Sequence, residues 1–255
     1  MNWFKRWRTY RLLKKHSIPD KLWLETTGQL TLVKPLSAVE KSSLRVLSTL
    51  FIQQKYFSAA QGLIVTAEMK VVIAAQACLE LLNLGLQSFA GWHEIILYPG
   101  AFIVSRETQS EAGLISNQNS VLSGEAWDKG PVILSWADVE HDSFQYRPGK
   151  NVVIHEFAHK LDMLNGRANG MPPLHPNMPI KAWTESLTEA YHRLTDRVFN
   201  QDAVINSYAT TNPAEFFAVF CEYFFTAPDI LLQHYPEVYD QLKRYFRQDP
   251  FQRIS

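Results

Sequence analysis

Apolar residues recur every three to four positions over several long stretches of this chain, and that period predicts helices. Residues 2–16 carry it, mixed with Lys and Arg. Ser37 followed by Glu40 forms a capping box that opens a helix through about Gln53. Thr66 opens a longer helix through about Leu84, and Gly85 ends it. Residues 94–98 and 101–105 read as short strands split by Pro99-Gly100. The polar, small-residue stretch 106–130 reads as loop, and 131–136 as a further strand that helical turns follow. Residues 151–164 form a mostly apolar helix, and 165–179, rich in Gly, Pro and Asn, leave it as a loop. A helix over about 180–199 comes next, then Tyr208 on a short connector. Asn212-Pro213-Ala214-Glu215 opens a strongly apolar helix through about Phe225, and Pro228 and Pro236 each stand near the start of a short helix. The balance is mainly helical with a small mixed sheet, an α+β class. Nothing in it reads as a repeat, a low-complexity segment or a linker. The expectation is one domain over residues 1–255, with an N-terminal helical segment over about 1–60.

Composition narrows the class. The chain has 255 residues, 46% of them hydrophobic and 20% charged, which is enough to bury a sizeable core. Its 25 basic and 25 acidic residues cancel, which argues against nucleic acid as a direct partner. Two cysteines, Cys78 and Cys221, cannot build a disulfide framework or a Cys-based zinc site, and a reducing cytoplasm suits them. No apolar run approaches a membrane span. The N-terminus is basic and aromatic without the apolar core of a secretory signal. Trp3, Phe4, Trp7 and six basic residues there can meet a membrane surface or an acidic partner. The simpler expectation is a first helix with its aromatics on the body and its charges in water.

The chemistry concentrates in His155-Glu156-Phe157-Ala158-His159. On a helix, His155 and His159 lie one turn apart on one face, so both imidazoles can reach one ion. Glu156 points to the neighbouring side, where it can hold a water as general base. This H-E-x-x-H pattern fits a zinc hydrolase. The competing reading makes the histidines hydrogen-bonded core residues. A catalytic zinc needs three protein ligands. Asp162 and Asn165 stand where an extended three-histidine motif would place Gly and His, so the remaining common option is a Glu on a second helix.

Glu215 is the best candidate, which makes the site a gluzincin type. It shares a helix face with Ala218, Val219 and Glu222, and the small Ala218 lets that helix approach closely. Asn212 and Glu215 also make a capping pattern, so a capping role competes. Glu222 is the reserve ligand, or a support behind the ligands. Asp162 either accepts the outer N–H of a ligating His or pairs with a distant Arg. Tyr208, seven residues before Glu215, can donate a hydrogen bond to an oxyanion. The strand at 132–135 is either an edge on which an extended peptide adds or ordinary sheet core. The loop 165–179 is expected to border the substrate cleft, against the alternative of a plain connector.

These residues resemble a known group. The stretch 152–164, Tyr208-Ala209-Thr210-Thr211-Asn212-Pro213-Ala214-Glu215-Phe216-Phe217-Ala218, Gly124-Glu125-Ala126-Trp127, Gly130 to Trp136, and the end Tyr223-Phe224-Phe225 with Ala227-Pro228 look like the Mlc titration factor A family. The resemblance covers about residues 60–250. It implies a zincin-like metallopeptidase whose catalytic domain is similar to that of anthrax lethal factor. It implies one zinc per chain held by His155, His159 and Glu215, with Glu156 as general base and Tyr208 on the oxyanion. It also implies a cytoplasmic protein with aminopeptidase activity that binds the glucose-responsive repressor Mlc and modulates the glucose phosphotransferase system. The rival expectation is a non-catalytic protein that sequesters a transcriptional repressor. Some members carry a His in the loop matching 113–119. Here the nearest equivalent is Ser116, so the resemblance does not extend to a His-capped resting site.

Overall fold

The computed structural model describes residues 3–109, 115–122, 124–127 and 130–254. Eleven helices are described: α1 (Trp3–His16), α2 (Asp20–Thr27), α3 (Ala38–Gln54), α4 (Ala67–Glu80), α5 (Trp136–Phe144), α6 (Val152–Asp162), α7 (Ile180–Phe199), α8 (Pro213–Thr226), α9 (Pro228–His234), α10 (Pro236–Phe246) and α11 (Pro250–Ile254). The strands are β1 (Tyr56–Ala59), β2 (Glu94–Tyr98), β3 (Phe102–Gln109), β4 (Ile115–Leu122), β5 (Gly124–Ala126) and β6 (Val132–Ser135). Four of them form a mixed sheet in the order β1-β2-β6-β5. The first three are parallel, and β5 runs antiparallel to β6. Strands β3 and β4 make a separate antiparallel pair. The expected α+β architecture, mainly helical with a small mixed sheet, is what the chain adopts.

The predicted caps form. Ser37 and Glu40 close the capping box of α3, and the Asn212 side chain accepts from the backbone of Ala214 and Glu215 at the head of α8. The stretch expected as loop, 106–130, is instead largely strand. Its polar run lacks apolar alternation because β3 and β4 are registered by backbone pairing, from Phe102 opposite Leu122 to Gln109 opposite Ile115. Ser116 lies on β4, opposite Thr108; residues 113 and 114, also in the stretch compared with the family's His, lie outside the described residues. The period also missed α2, β1 and α11, each eight residues or fewer.

In α1, the described aromatics do not lie on the body. Trp7 is half exposed and carries the Arg11 guanidinium 4.5 Å above its ring, and Tyr10 is exposed. The side chains of Trp3 and Phe4 lie outside the described ones. No described helix is long and apolar enough to cross a membrane.

Helix α6 is the centre of the molecule. It packs between α8 and the β5–β6 end of the sheet, with α4 behind it. Val153, Ile154, Phe157, Ala158 and Leu161 are buried. Phe157 sits in an aromatic cluster with Phe51, Phe89 and Trp92 at centroid distances of 5.1–5.7 Å. The first turn of α6 is anchored on every side. Asn151 accepts from Ile154 N–H, Asp142 accepts from Val152 N–H, and Glu222 accepts from Asn151 N–H at 2.6 Å. Two carboxylates at a helix N-terminus also complement its dipole.

Behind this anchor, Glu80 is fully buried at the end of α4, and neither carboxylate oxygen has a hydrogen-bond partner. Burial pushes its pKa well above the ordinary range, with only a partial opposing pull from His155. A raised folded pKa means that the fold holds the proton more tightly than the unfolded chain does. The stability this carries is present below the ordinary Glu value of 4.5 and is lost as pH rises through the raised folded one. Glu80→Leu should therefore stabilise the protein by about 1–3 kcal/mol at pH 8, and by less at pH 5. Urea unfolding at the two pH values checks this. An equal difference at both would show that Glu80 does not hold a proton in the fold.

Candidate metal centre

Helices α6 and α8 bring His155, His159 and Glu215 to one point. His155 Nε2 lies 3.0 Å from Glu215 Oε2, His159 Nε2 lies 3.3 Å from the same oxygen, and the two Nε2 atoms are 3.2 Å apart. A tetrahedral zinc with bonds of about 2.0–2.1 Å spaces its ligand atoms about 3.3 Å apart. The donor triangle therefore fits such an ion, and these three residues could hold one. Ala218, fully buried, is the small residue that lets α8 come this close.

The electrostatics of the cluster agree with a cation-binding role. Burial opposes charge on His155, but Glu222 and Glu215 override it and hold its pKa well above the usual value. Burial likewise opposes the Glu215 carboxylate, and hydrogen bonds from His155 and His159 hold its pKa below the usual range. Glu222 does not join the triangle. Its Oε1 lies 2.7 Å from His155 Nδ1, while Oε2 takes the Asn151 N–H. It thus orients the His155 ring and leaves Nε2 pointing to the centre. Both the support role weighed for Glu222 and the cap of α8 by Asn212 are present, and Glu215 still faces the histidines.

Glu156 is buried beside the cluster, and burial pushes its pKa up to about 7 against the pull of His155 and His159. Its side chain lies against β5. A Cβ added at Gly124 would stand 2.5 Å from Glu156 Oε1 and 2.6 Å from its Cγ, so only glycine leaves room for this carboxylate. Tyr208 sits on a 3-10 turn at Ser207–Thr210, with its ring 6.0 Å from that of His155. It is half exposed and borders the cleft on both sides of the cluster.

The cleft holds about 510 Å³ on the side lined by Glu125, Ala126, Met163, Asn169 and Pro213. It continues past Gly124 and Tyr208 into a second part of about 400 Å³ near Val152 and Arg147. The loop 165–179 borders the cleft through Ala168 and Asn169, as expected.

Of the two readings of the strand at 132–135, ordinary sheet core holds: β6 lies between β2 and β5, and β5 is the outermost described strand of that sheet, beside the cleft. Only three residues long and inside the stretch read as loop, β5 gave no periodic signal. Asp162 takes neither role assigned to it. Its Oδ2 accepts the Gly170 N–H at 2.7 Å and ties the loop to the end of α6, and its Oδ1 is buried without a partner. The helix ends at Asp162, and the chain folds back so that backbone amides, not an imidazole or an Arg, reach the carboxylate.

Lys160, left without a role by the motif, is nearly fully buried and donates to the carbonyls of Trp127 and Gly130, the latter at 2.9 Å. It ties Trp127 and Gly130, on the two sides of the gap between β5 and β6, to α6. The signal was available: Lys160 lies four residues after Glu156, so both project from one face of α6 toward β5.

Comparison with known proteins agrees with this geometry. A family model described as glucose-regulated metallo-peptidase M90 matches residues 4–247. A Mlc titration factor A from Serratia proteamaculans (strain 568) is 42% identical over 228 residues, covering 88% of this chain and 86% of that protein. Proteins of the same name from Yersinia pestis (strain Pestoides F) and Yersinia pseudotuberculosis serotype O:1b (strain IP 31758) are each 40% identical over 237 residues, 91% of this chain and 86% of theirs. With a buried H-E-x-x-H helix, a third carboxylate facing it and a match over nearly its whole length, the chain belongs to the glucose-regulated metallo-peptidase M90 family.

Proposed function

We propose that the chain is a zinc-dependent peptidase of the gluzincin type, with His155, His159 and Glu215 as the metal ligands. The observation that carries this reading is the donor triangle with edges of 3.0, 3.2 and 3.3 Å. A zinc ion there supplies a Lewis acid that polarises a peptide carbonyl and makes a water acidic enough to react near neutral pH.

The chain's own residues do the rest. Glu156, held against Gly124, takes the proton of the attacking water and returns it to the leaving amine. Glu222 accepts the outer N–H of His155 and fixes its tautomer. Strand β5 has only β6 as a partner among the described residues, so its outer edge can take an extended peptide by backbone hydrogen bonds. Tyr208, at the middle of the cleft, donates its hydroxyl to the oxyanion as it forms.

Hydrolysis of a fluorogenic peptide panel by the purified protein tests the reading. Activity should vanish with a chelator and return with zinc. No hydrolysis of any peptide by metal-loaded protein would overturn it. Tyr208→Phe should lower kcat and kcat/KM together, by roughly tenfold to a thousandfold, with metal content and thermal stability unchanged. A fall in metal occupancy would make Tyr208 a support of the metal instead, and an unaltered kcat would reduce it to a packing residue.

Aminopeptidase action and a cytoplasmic location follow the family resemblance. The relatives' name couples them to Mlc, and we carry that to this chain as a proposed partner. In that role it binds the repressor and so modulates the glucose phosphotransferase system. The name favours a second reading, a binding protein that sequesters the repressor without catalysis. An intact Glu156 in contact distance of Gly124 favours the peptidase, because sequestration has no use for a general base.

A further inference from the structure

The formal net charge of zero hides an asymmetry. The first acidic residue of the chain is Asp20. Six of the 25 basic residues, Lys5, Arg6, Arg8, Arg11, Lys14 and Lys15, precede it, so the rest of the chain holds 19 basic residues against 25 acidic ones. All six belong to α1, and the body they are attached to is acidic.

In α1, Trp7, Tyr10, Arg11 and Lys14 stand at i, i+3, i+4 and i+7, which places them in one stripe along the helix. All four are exposed, and so is Lys15 beside them. The Arg11 guanidinium lies 4.5 Å above the Trp7 ring. Among the described residues none of Arg11, Lys14 and Lys15 has an ion-pair partner. Helix α1 packs on α3, and Leu12 and Leu13, on the side opposite the stripe, are half-buried. One side of α1 thus holds it to the body, and the other turns aromatic rings and uncompensated cations to solvent.

The combination identifies the kind of surface it fits. Trp and Tyr settle at the headgroup level of a bilayer, and Lys and Arg beside them meet anionic lipid. The Arg11 guanidinium occupies one of the two faces of Trp7 on which a nucleic-acid base would stack, and it leaves the ring edge for the headgroup layer. The acidic body is repelled by the same surface and is turned outward.

We propose that α1 docks the protein on an anionic lipid surface through Trp7, Tyr10, Arg11 and Lys14. The helix lies on the bilayer and does not span it. The proposal is independent of the peptidase reading.

Sedimentation of the full chain with lipid vesicles tests it. Vesicles of phosphatidylcholine with about one third phosphatidylglycerol should bind it roughly a hundredfold more tightly than phosphatidylcholine alone, at about fivefold for each cation that meets the surface. Raising the salt from about 0.1 to 0.5 M should release it. Arg11→Glu with Lys14→Glu should cost roughly a hundredfold in affinity. The equal charge change Lys181→Glu with Arg244→Glu, on α7 and α10, should cost less than about threefold. Trp7→Ala with Tyr10→Ala should cost roughly tenfold and leave the salt dependence unaltered. Thermal unfolding shows that each variant is folded. Protein left in solution by the anionic vesicles, equal binding to both vesicle types, or equal losses from the two pairs of charge reversals would overturn the proposal. Undiminished vesicle binding by the folded Trp7→Ala, Tyr10→Ala protein would also overturn it. Binding to duplex DNA that matches binding to the vesicles at the same salt would overturn it in favour of a general contact for polyanions.

Discussion

Glu156→Gln should lower peptide hydrolysis by roughly a hundredfold to ten-thousandfold while the protein keeps its metal and its fold. The amide has the shape of the carboxylate, so it fills the space against Gly124 without a clash. It cannot take a proton from water or pass one to a leaving amine. Its burial removes a group whose ionisation the site resists, so stability should hold or rise. The checks are kcat on the peptide panel, metal content and thermal unfolding. A rate close to that of the unaltered protein would remove Glu156 from the reaction. The same variant separates the two functional readings. Under the peptidase reading it binds peptide, and Mlc if Mlc is a partner, without cleaving. Under pure sequestration its loss changes nothing that matters to the partner.

Two acidic residues of α8 should differ sharply in their hold on the metal. Glu215 Oε2 faces both Nε2 atoms, at 3.0 and 3.3 Å. Of the two histidines, Glu222 reaches only His155, at its far nitrogen, 2.7 Å away, while its other oxygen takes the Asn151 N–H. Glu215→Gln replaces a charged ligand with a weak neutral one and leaves two histidines, so zinc should be lost to a mild chelator. Glu222→Gln still offers one oxygen to the His155 Nδ1–H. Its zinc affinity should fall by about tenfold to a hundredfold, the effect of losing support behind a ligand. Competition with a chromogenic chelator measures both. The reverse order would exchange the roles of the two residues.

The parts of this site that the sequence revealed are those that a helix fixes by spacing. His155, Glu156 and His159 are one turn of α6, and Glu215 with Glu222 are two turns of α8, so a period and a cap locate them. Ser37 and Asn212 mark their helices because a capping side chain acts within three residues of itself. What stayed hidden depends on contacts between distant segments. Strand β5 exists because three residues pair with β6, and Gly124 matters because Glu156 of another element lies against it. Asp162 stands on the expected side of α6, yet its partner is an amide eight residues on, and only the path of the returning loop decides that. Lys160 directly follows the motif, but the carbonyls it binds, those of Trp127 and Gly130, lie some thirty residues earlier. The β3–β4 pair is polar along most of its length, and its backbone pairing leaves no apolar period.

Elemental analysis of the purified protein tests most directly whether one zinc sits on His155, His159 and Glu215. Protein expressed in zinc-replete medium should carry about one zinc per chain, and His155→Ala protein close to none. A folded, unaltered protein with no transition metal, or a His155→Ala protein with undiminished zinc, would contradict it.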